Sequence, residues 1–177
     1  MPAQRGDDLW IIKIPQADMP LLPQIECVTM QWARAAGLTV PDCEIVAASQ
    51  LVGMDAFVRQ GVADVFAIRR YDRSADGIRT HQEDFAQVLN LMPRHKYGDS
   101  GPLRASLVGV GRIIRDAAAD GAVEDFLSRV AFVIASGNTD AHLKNWSFVY
   151  HGNDVIPSMA PQEARLAPSR CGSSDNS

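Results

Sequence analysis

A chain of 177 residues with 46% hydrophobic and 21% charged positions is sized for one globular domain or two small lobes sharing a cleft, which excludes disorder throughout. Its formal net charge of -4 argues against direct nucleic-acid binding, which calls for a clustered basic face. Cys27, Cys43 and Cys171 are odd in number and lack metal-ligand spacing, so neither a disulfide framework nor a zinc site is expected, and a reducing cytoplasm is the expected location.

The run Leu-Trp-Ile-Ile-Lys-Ile at 9–14 reads as a strand closed by Pro15; it is too short and too charged, at Lys13, to be a signal peptide or a membrane span. From Gln24, Ile25, Val28, Trp32 and Ala35 follow helical spacing up to a stop at Gly37, and Glu26 rides on that helix. Strands are expected at 45–47 and 65–68, with a hairpin turn at Asp76-Gly77 between Arg70-Tyr71 and Ile78-Arg79. Three helices follow, over 83–91, 103–118 and 123–135. The last carries a broad apolar face of Val123, Phe126, Leu127, Val130, Val133 and Ile134, part of which is expected to be bare. A polar loop at 136–147 leads into a small hairpin, 148–150 with 155–156, turning at Gly152-Asn153, and the chain after Pro161 is expected to fray. The class is α+β.

The polar loop carries the chemistry. Phosphoryl transfer needs a carboxylate to orient the attacking hydroxyl and oxygen ligands for magnesium, and Asp140 and Asn145 stand at the Asp-to-Asn separation of the protein-kinase catalytic loop. Lys144 beside them can neutralise phosphate charge. Spacing alone also fits a polar loop in which Asp140 and Asn138 cap turns.

The wider string Gly-Asn-Thr-Asp-Ala-His-Leu-Lys-Asn-Trp-Ser at 137–147 resembles the G-N-x-D-x-H-x-K-N-x-S loop of HipA-like serine/threonine kinases. The resemblance extends to Ala-Gly-Leu-Thr-Val-Pro at 36–41, Arg-Tyr-Asp-Arg at 70–73, and Gln-Glu-Asp-Phe-Ala-Gln at 82–87 with Lys96-Tyr97. It implies a bilobal, protein-kinase-like fold that uses ATP and Mg2+ to phosphorylate a protein substrate. It also implies a toxin-type cytoplasmic protein paired with a DNA-binding, HipB-like antitoxin. By the same resemblance Asp140 matches the catalytic base, Asn145 the metal-ligating residue and Lys13 the ATP-phosphate lysine, with Glu26 as its acidic partner. Arg69 and Tyr71 match the segment that meets adenine, although relatives often carry an acid at the Arg69 position, and His142 buttresses the loop beside Lys144.

Two departures from the family pattern stand out. No Gly- and Ser-containing phosphate loop precedes the lysine strand, where Gly6 stands alone, and the magnesium-holding aspartate expected after Pro161 aligns with Ala164, one residue from Glu163. They suggest a chain truncated at both ends, with a partial sheet lobe at 1–75, a partial helical lobe at 76–161 and an unrelated tail at 162–177. Two functions are therefore expected: a HipA-like kinase impaired by truncation, or a catalytically silent remnant that binds a partner.

Overall fold

β-branched and aromatic residues clustered at 9–14, 43–47 and 64–69 build the first sheet. The computed structural model describes residues 1–73, 76–91, 106–138, 142–152 and 156–161. Strands β1 (Pro2–Arg5), β2 (Asp8–Lys13), β3 (Cys43–Ala47) and β4 (Asp64–Arg69) form an antiparallel sheet in the order β1-β2-β4-β3. β1, which no apolar run foreshadows, pairs with β2 across the two-residue turn Gly6-Asp7, where Gly6 adopts φ 57°. β4 lies between β2 and β3, and Val65, Phe66, Ala67 and Ile68 are all buried.

Strand alternation gives this sheet two apolar faces. Helix α1 (Leu22–Ala35) covers the side carrying Ile11, Phe66 and Ile68, burying Cys27 and Met30 against them. Ile25, Val28 and Trp32, which mark the helix in sequence, are 44%, 62% and 48% exposed, so the packed face is the more polar one containing Glu26 and Cys27. The other side, with Ile12, Val46, Val65 and Ala67, is covered by Met54, Leu51 and Phe57, around a 3-10 turn (Ala48–Gln50) and the short helix α2 (Asp55–Arg59).

A second antiparallel sheet joins β5 (His81–Asp84), β6 (Ser147–Tyr150) and β7 (Ser158–Met159) in that order. Beside it lie α3 (Phe85–Val88), α4 (Leu107–Ala117) and α5 (Ala122–Ala135). The helix expected over 83–91 is thus shorter: Glu83 and Asp84 belong to β5, because pairing with Phe148 and Ser147 outweighs the local helical pattern. The partner of β6 is 158–159 rather than 155–156, and Val155 lies outside the described residues, as do 103–105 and the tail at 162–177. At the expected Asp76-Gly77 turn the chain makes a single bridge, Arg73 to Arg79. Phe85, Val110, Ile114, Phe126, Trp146 and Phe148 form the core of this half.

The halves meet where Ala33 and Leu38 pack on Phe132 of α5, and Trp32 meets the Phe132 ring edge-on at 5.1 Å. Leu127 and Ile134 of α5 are 57% and 74% exposed. Among the described residues no helix is long and apolar enough to cross a membrane.

Candidate active site

Lys13 ends β2 opposite Phe66, on the face covered by α1. Its Nζ lies 2.9 Å from Oε1 of Glu26 and 5.4 Å from the Phe66 ring centroid. The Glu26 side chain is 5% exposed and that of Lys13 27%, so the pair sits in a medium poorer than water, where opposite charges attract strongly and neither tolerates loss of the other.

The loop before β6 shows how a short segment presents polar groups. Leu143 and Trp146 are buried in the core, with Trp146 packed edge-on against Phe126 at 5.2 Å. Between these anchors a 3-10 turn (Leu143–Asn145), closed by Asn145 N–H donating to the His142 carbonyl at 2.9 Å, holds Lys144 and Asn145 half-buried. Both line a cleft of about 390 Å³ between the two halves, which Ile11, Tyr71, Asp72, Gln82 and Asp84 also line. His142 is buried under the turn and does not line the cleft.

The strip leading into the cleft is braced by charge. Arg70 grips Asp72 with two hydrogen bonds, the Nε one at 2.7 Å. Burial pushes the Asp72 carboxyl up, but the Arg70 hydrogen bonds and charge outweigh it and hold the group below its ordinary range. The Tyr71 hydroxyl donates to Gln82 Oε1 at 2.6 Å, tying the strip to β5. Asp84 caps α3 in a capping box with Gln87, which fixes that wall of the cleft. On the far wall Ala160 and Pro161 follow β7, where buried Arg129 donates to the Ala160 carbonyl while Asp125 neutralises it.

The structure therefore brings Tyr71, Lys144 and Asn145 into one cleft and joins Lys13 to Glu26 on the β2 face that also carries Ile11. Lys13 stands two residues, about 7 Å, along the strand from Ile11 and does not itself line the cleft. Arg69 is elsewhere: its guanidinium meets Asp8 at 2.7 Å and Asp42 at 3.6 Å. Asp140 lies outside the described residues, as do Glu163, Ala164 and Lys96-Tyr97. Sequence reasoning did not find the placement of Gln82 and Asp84 on one cleft wall, because the helix read from Glu83 overlaps the end of β5 and the strand's own residues, His81 to Asp84, are all polar and carry no alternation.

The donor set suits a nucleotide. Lys144 offers a cation and Asn145 lines the cleft beside it with its amide oxygen buried, while a hard ion such as Mg2+ commonly takes only one or two protein ligands and completes its shell with phosphate and water. Among the described residues there is no cluster of three His, Cys, Asp or Glu able to hold a metal without such help.

Two small antiparallel sheets with helices and an interposed polar cleft define a protein-kinase-like fold. The chain belongs to the family described as the HipA-like C-terminal domain, which matches residues 2–169. It is 34% identical over 161 residues to "Putative kinase Y4dM" of Sinorhizobium fredii, covering 91% of this chain and 38% of that protein. Among solved structures it is similar to HipA of Shewanella oneidensis, determined in complex with HipB and operator DNA, with TM-score 0.70 and 22% identity over 89% of this chain and 37% of that one. It is also similar to the Helicobacter pylori proinflammatory kinase CtkA, with TM-score 0.59 and 17% identity over 92% of this chain and 51% of that one. At these identities the two structures speak for the fold. The chain spans well under half the length of Y4dM and HipA.

Proposed function

We propose that this chain forms the nucleotide-binding core of a HipA-like serine/threonine kinase, with residues 1–75 and 76–161 as its two lobes. The observation that carries the reading is the part-buried Lys13–Glu26 pair beside a cleft lined by Lys144 and Asn145, the pairing of lysine strand and helix glutamate that protein kinases use to hold ATP phosphates. In this reading Lys13, oriented by Glu26, binds the inner phosphates, and Tyr71 meets the adenine. Lys144 neutralises charge on the transferred group, and His142 stiffens the loop. Asp140 accepts the proton of a protein hydroxyl, and Asn145 is the protein ligand for Mg2+. When bound, the metal supplies a fixed positive charge against the phosphates. The side chain of Arg69 serves the sheet through Asp8 and Asp42. A DNA-binding antitoxin is the proposed partner, on the strength of the HipA–HipB complex among the fold's relatives.

Titration with ATP, with and without Mg2+, followed by calorimetry tests the nucleotide site. Lys13→Met weakens ATP binding about tenfold or more, a loss of at least about 1.4 kcal/mol, and Asn145→Ala removes the increment that Mg2+ adds; unchanged affinity in both variants refutes the reading. Transfer is measured separately with radiolabelled ATP, using Asp140→Asn as the blank. Ala164, at a position where the family pattern carries a metal-holding aspartate, favours a second reading, nucleotide binding with transfer lowered about a hundred- to a thousand-fold. ATP binding with turnover near the blank selects it.

A further inference from the structure

Cys27 and Cys43 are remote in sequence and adjacent in the fold. Cys27 is buried in the cluster of Met30, Phe66 and Ile68 under α1, and Cys43, the first residue of β3, packs against the same cluster. The two thiols lie close enough for each to feel the charge of the other. Neither forms a disulfide. Their access to solvent differs: Cys27 is 6% exposed, and Cys43, at the edge strand, is more open.

We propose that Cys27 and Cys43 form an oxidisable dithiol that closes to an intramolecular disulfide on reaction with a low-molecular-weight disulfide, tying α1 to the sheet one residue from Glu26. The more open Cys43 reacts first: its thiolate attacks one sulfur of the reagent, giving a mixed disulfide and releasing one thiolate. The Cys27 thiolate then attacks Sγ of Cys43, forming the protein disulfide and expelling the second reagent thiolate. The protons from the two cysteines end on the two released thiols, so two protein thiols and one reagent disulfide yield one protein disulfide and two reagent thiols.

The surroundings set the pace. Burial, then the neighbouring Cys27, pushes the Cys43 thiol above its ordinary value; Asp42 adds to this, and Arg34 of α1 opposes it. Gln31 donates to Cys27 Sγ at 3.6 Å. Thiolate is therefore scarce at neutral pH, and the reaction accelerates about tenfold for each pH unit below the thiol's own value. Once closed, the link holds α1 against β3 and with it the Lys13–Glu26 pair. Any effect on phosphate transfer rests on the function proposed above; the cross-link does not.

The test treats the full chain with oxidised glutathione and maps its peptides without reduction, in wild type and in Cys171→Ser. The expected result in both is a linked pair of peptides carrying Cys27 and Cys43, with two of the three wild-type thiols lost. The oxidised form melts about 5–10 °C higher than the reduced form, and its formation speeds up about tenfold between pH 7 and pH 8. A Cys43–glutathione adduct that never resolves, links made through Cys171, or a Cys27–Cys43 yield no greater than in the urea-unfolded chain overturns the proposal. A cross-link formed while ATP binding fails its own test would leave this inference standing and remove the kinase reading.

Discussion

Glu26 is a deeply buried carboxylate with a lysine partner, and its burial decides what Lys13 is worth. Lys13→Met strands that charge and costs about 2 kcal/mol in urea unfolding, below the fully buried range because the Lys13 side chain is 27% exposed. The double variant Lys13→Met, Glu26→Leu recovers most of the loss; if the two single costs simply add, the ion pair is not coupled. Asp72 gives a second residue-scale prediction. Its folded value lies below the ordinary 3.8, so its stabilising contribution is present above that value and is lost as pH falls through the lower, folded one. The stability gap between wild type and Asp72→Asn is therefore full near pH 6 and shrinks on acidification below about pH 4. A gap that is flat from pH 6 to pH 3 contradicts the Arg70 bridge. The pairing of Lys13 with Glu26 was legible through the family resemblance, and the cleft position of Asn145 through the string at 137–147, whereas the contact of Cys27 with Cys43 depends on a helix landing on a strand edge and leaves no local trace.

Among elements, those with strong internal periodicity were readable. α1 and α5 stand within about two residues of their expected bounds, while β5 was hidden because His81 to Asp84 are all polar and the helical pattern of Phe85, Val88 and Leu89 begins directly after them. α1 also shows why a helix can be found for the wrong reason: Ile25 and Val28 mark it but face outward, Trp32 is half-exposed with its ring against Phe132, and Cys27, Met30 and Ala33 do the buried packing. In α5 the decisive residue is charged. Arg129 is 3% exposed, donates to the Ala160 carbonyl, and relies on Asp125 one turn earlier for compensation. Asp125→Asn leaves that guanidinium uncompensated and costs about 3 kcal/mol by chemical denaturation. It also loosens the Ala160-Pro161 wall of the cleft, seen as faster amide exchange at Ala160. An unchanged denaturation midpoint would mean that the Ala160 carbonyl alone satisfies Arg129.

At the scale of the molecule, the kinase-like class was accessible because motif strings occur in both halves, but the way the halves join was not. The junction rests on Trp32, Ala33, Leu38 and Phe132, single apolar residues from separate segments with no shared pattern. Phe132→Ala costs about 3 kcal/mol in thermal unfolding, the usual penalty for emptying a buried aromatic site. Retention of the wild-type melting temperature would show that the two halves unfold independently of this contact. The exposed apolar groove between α4 and α5, where Val108 is 65% and Leu127 57% exposed, fits the expectation that the α5 face is partly bare.

The Trp32–Phe132 ring contact has a mechanical meaning as well as an energetic one. Trp32 and Glu26 are carried by the same helix, separated by about 9 Å of axial rise. A helix moves as a rod. The C-terminal half of α1 meets the ring of Phe132 across the seam, and its N-terminal half sets the Glu26 carboxylate on Lys13. One rigid element thus carries both the seam between the halves and the carboxylate that holds Lys13.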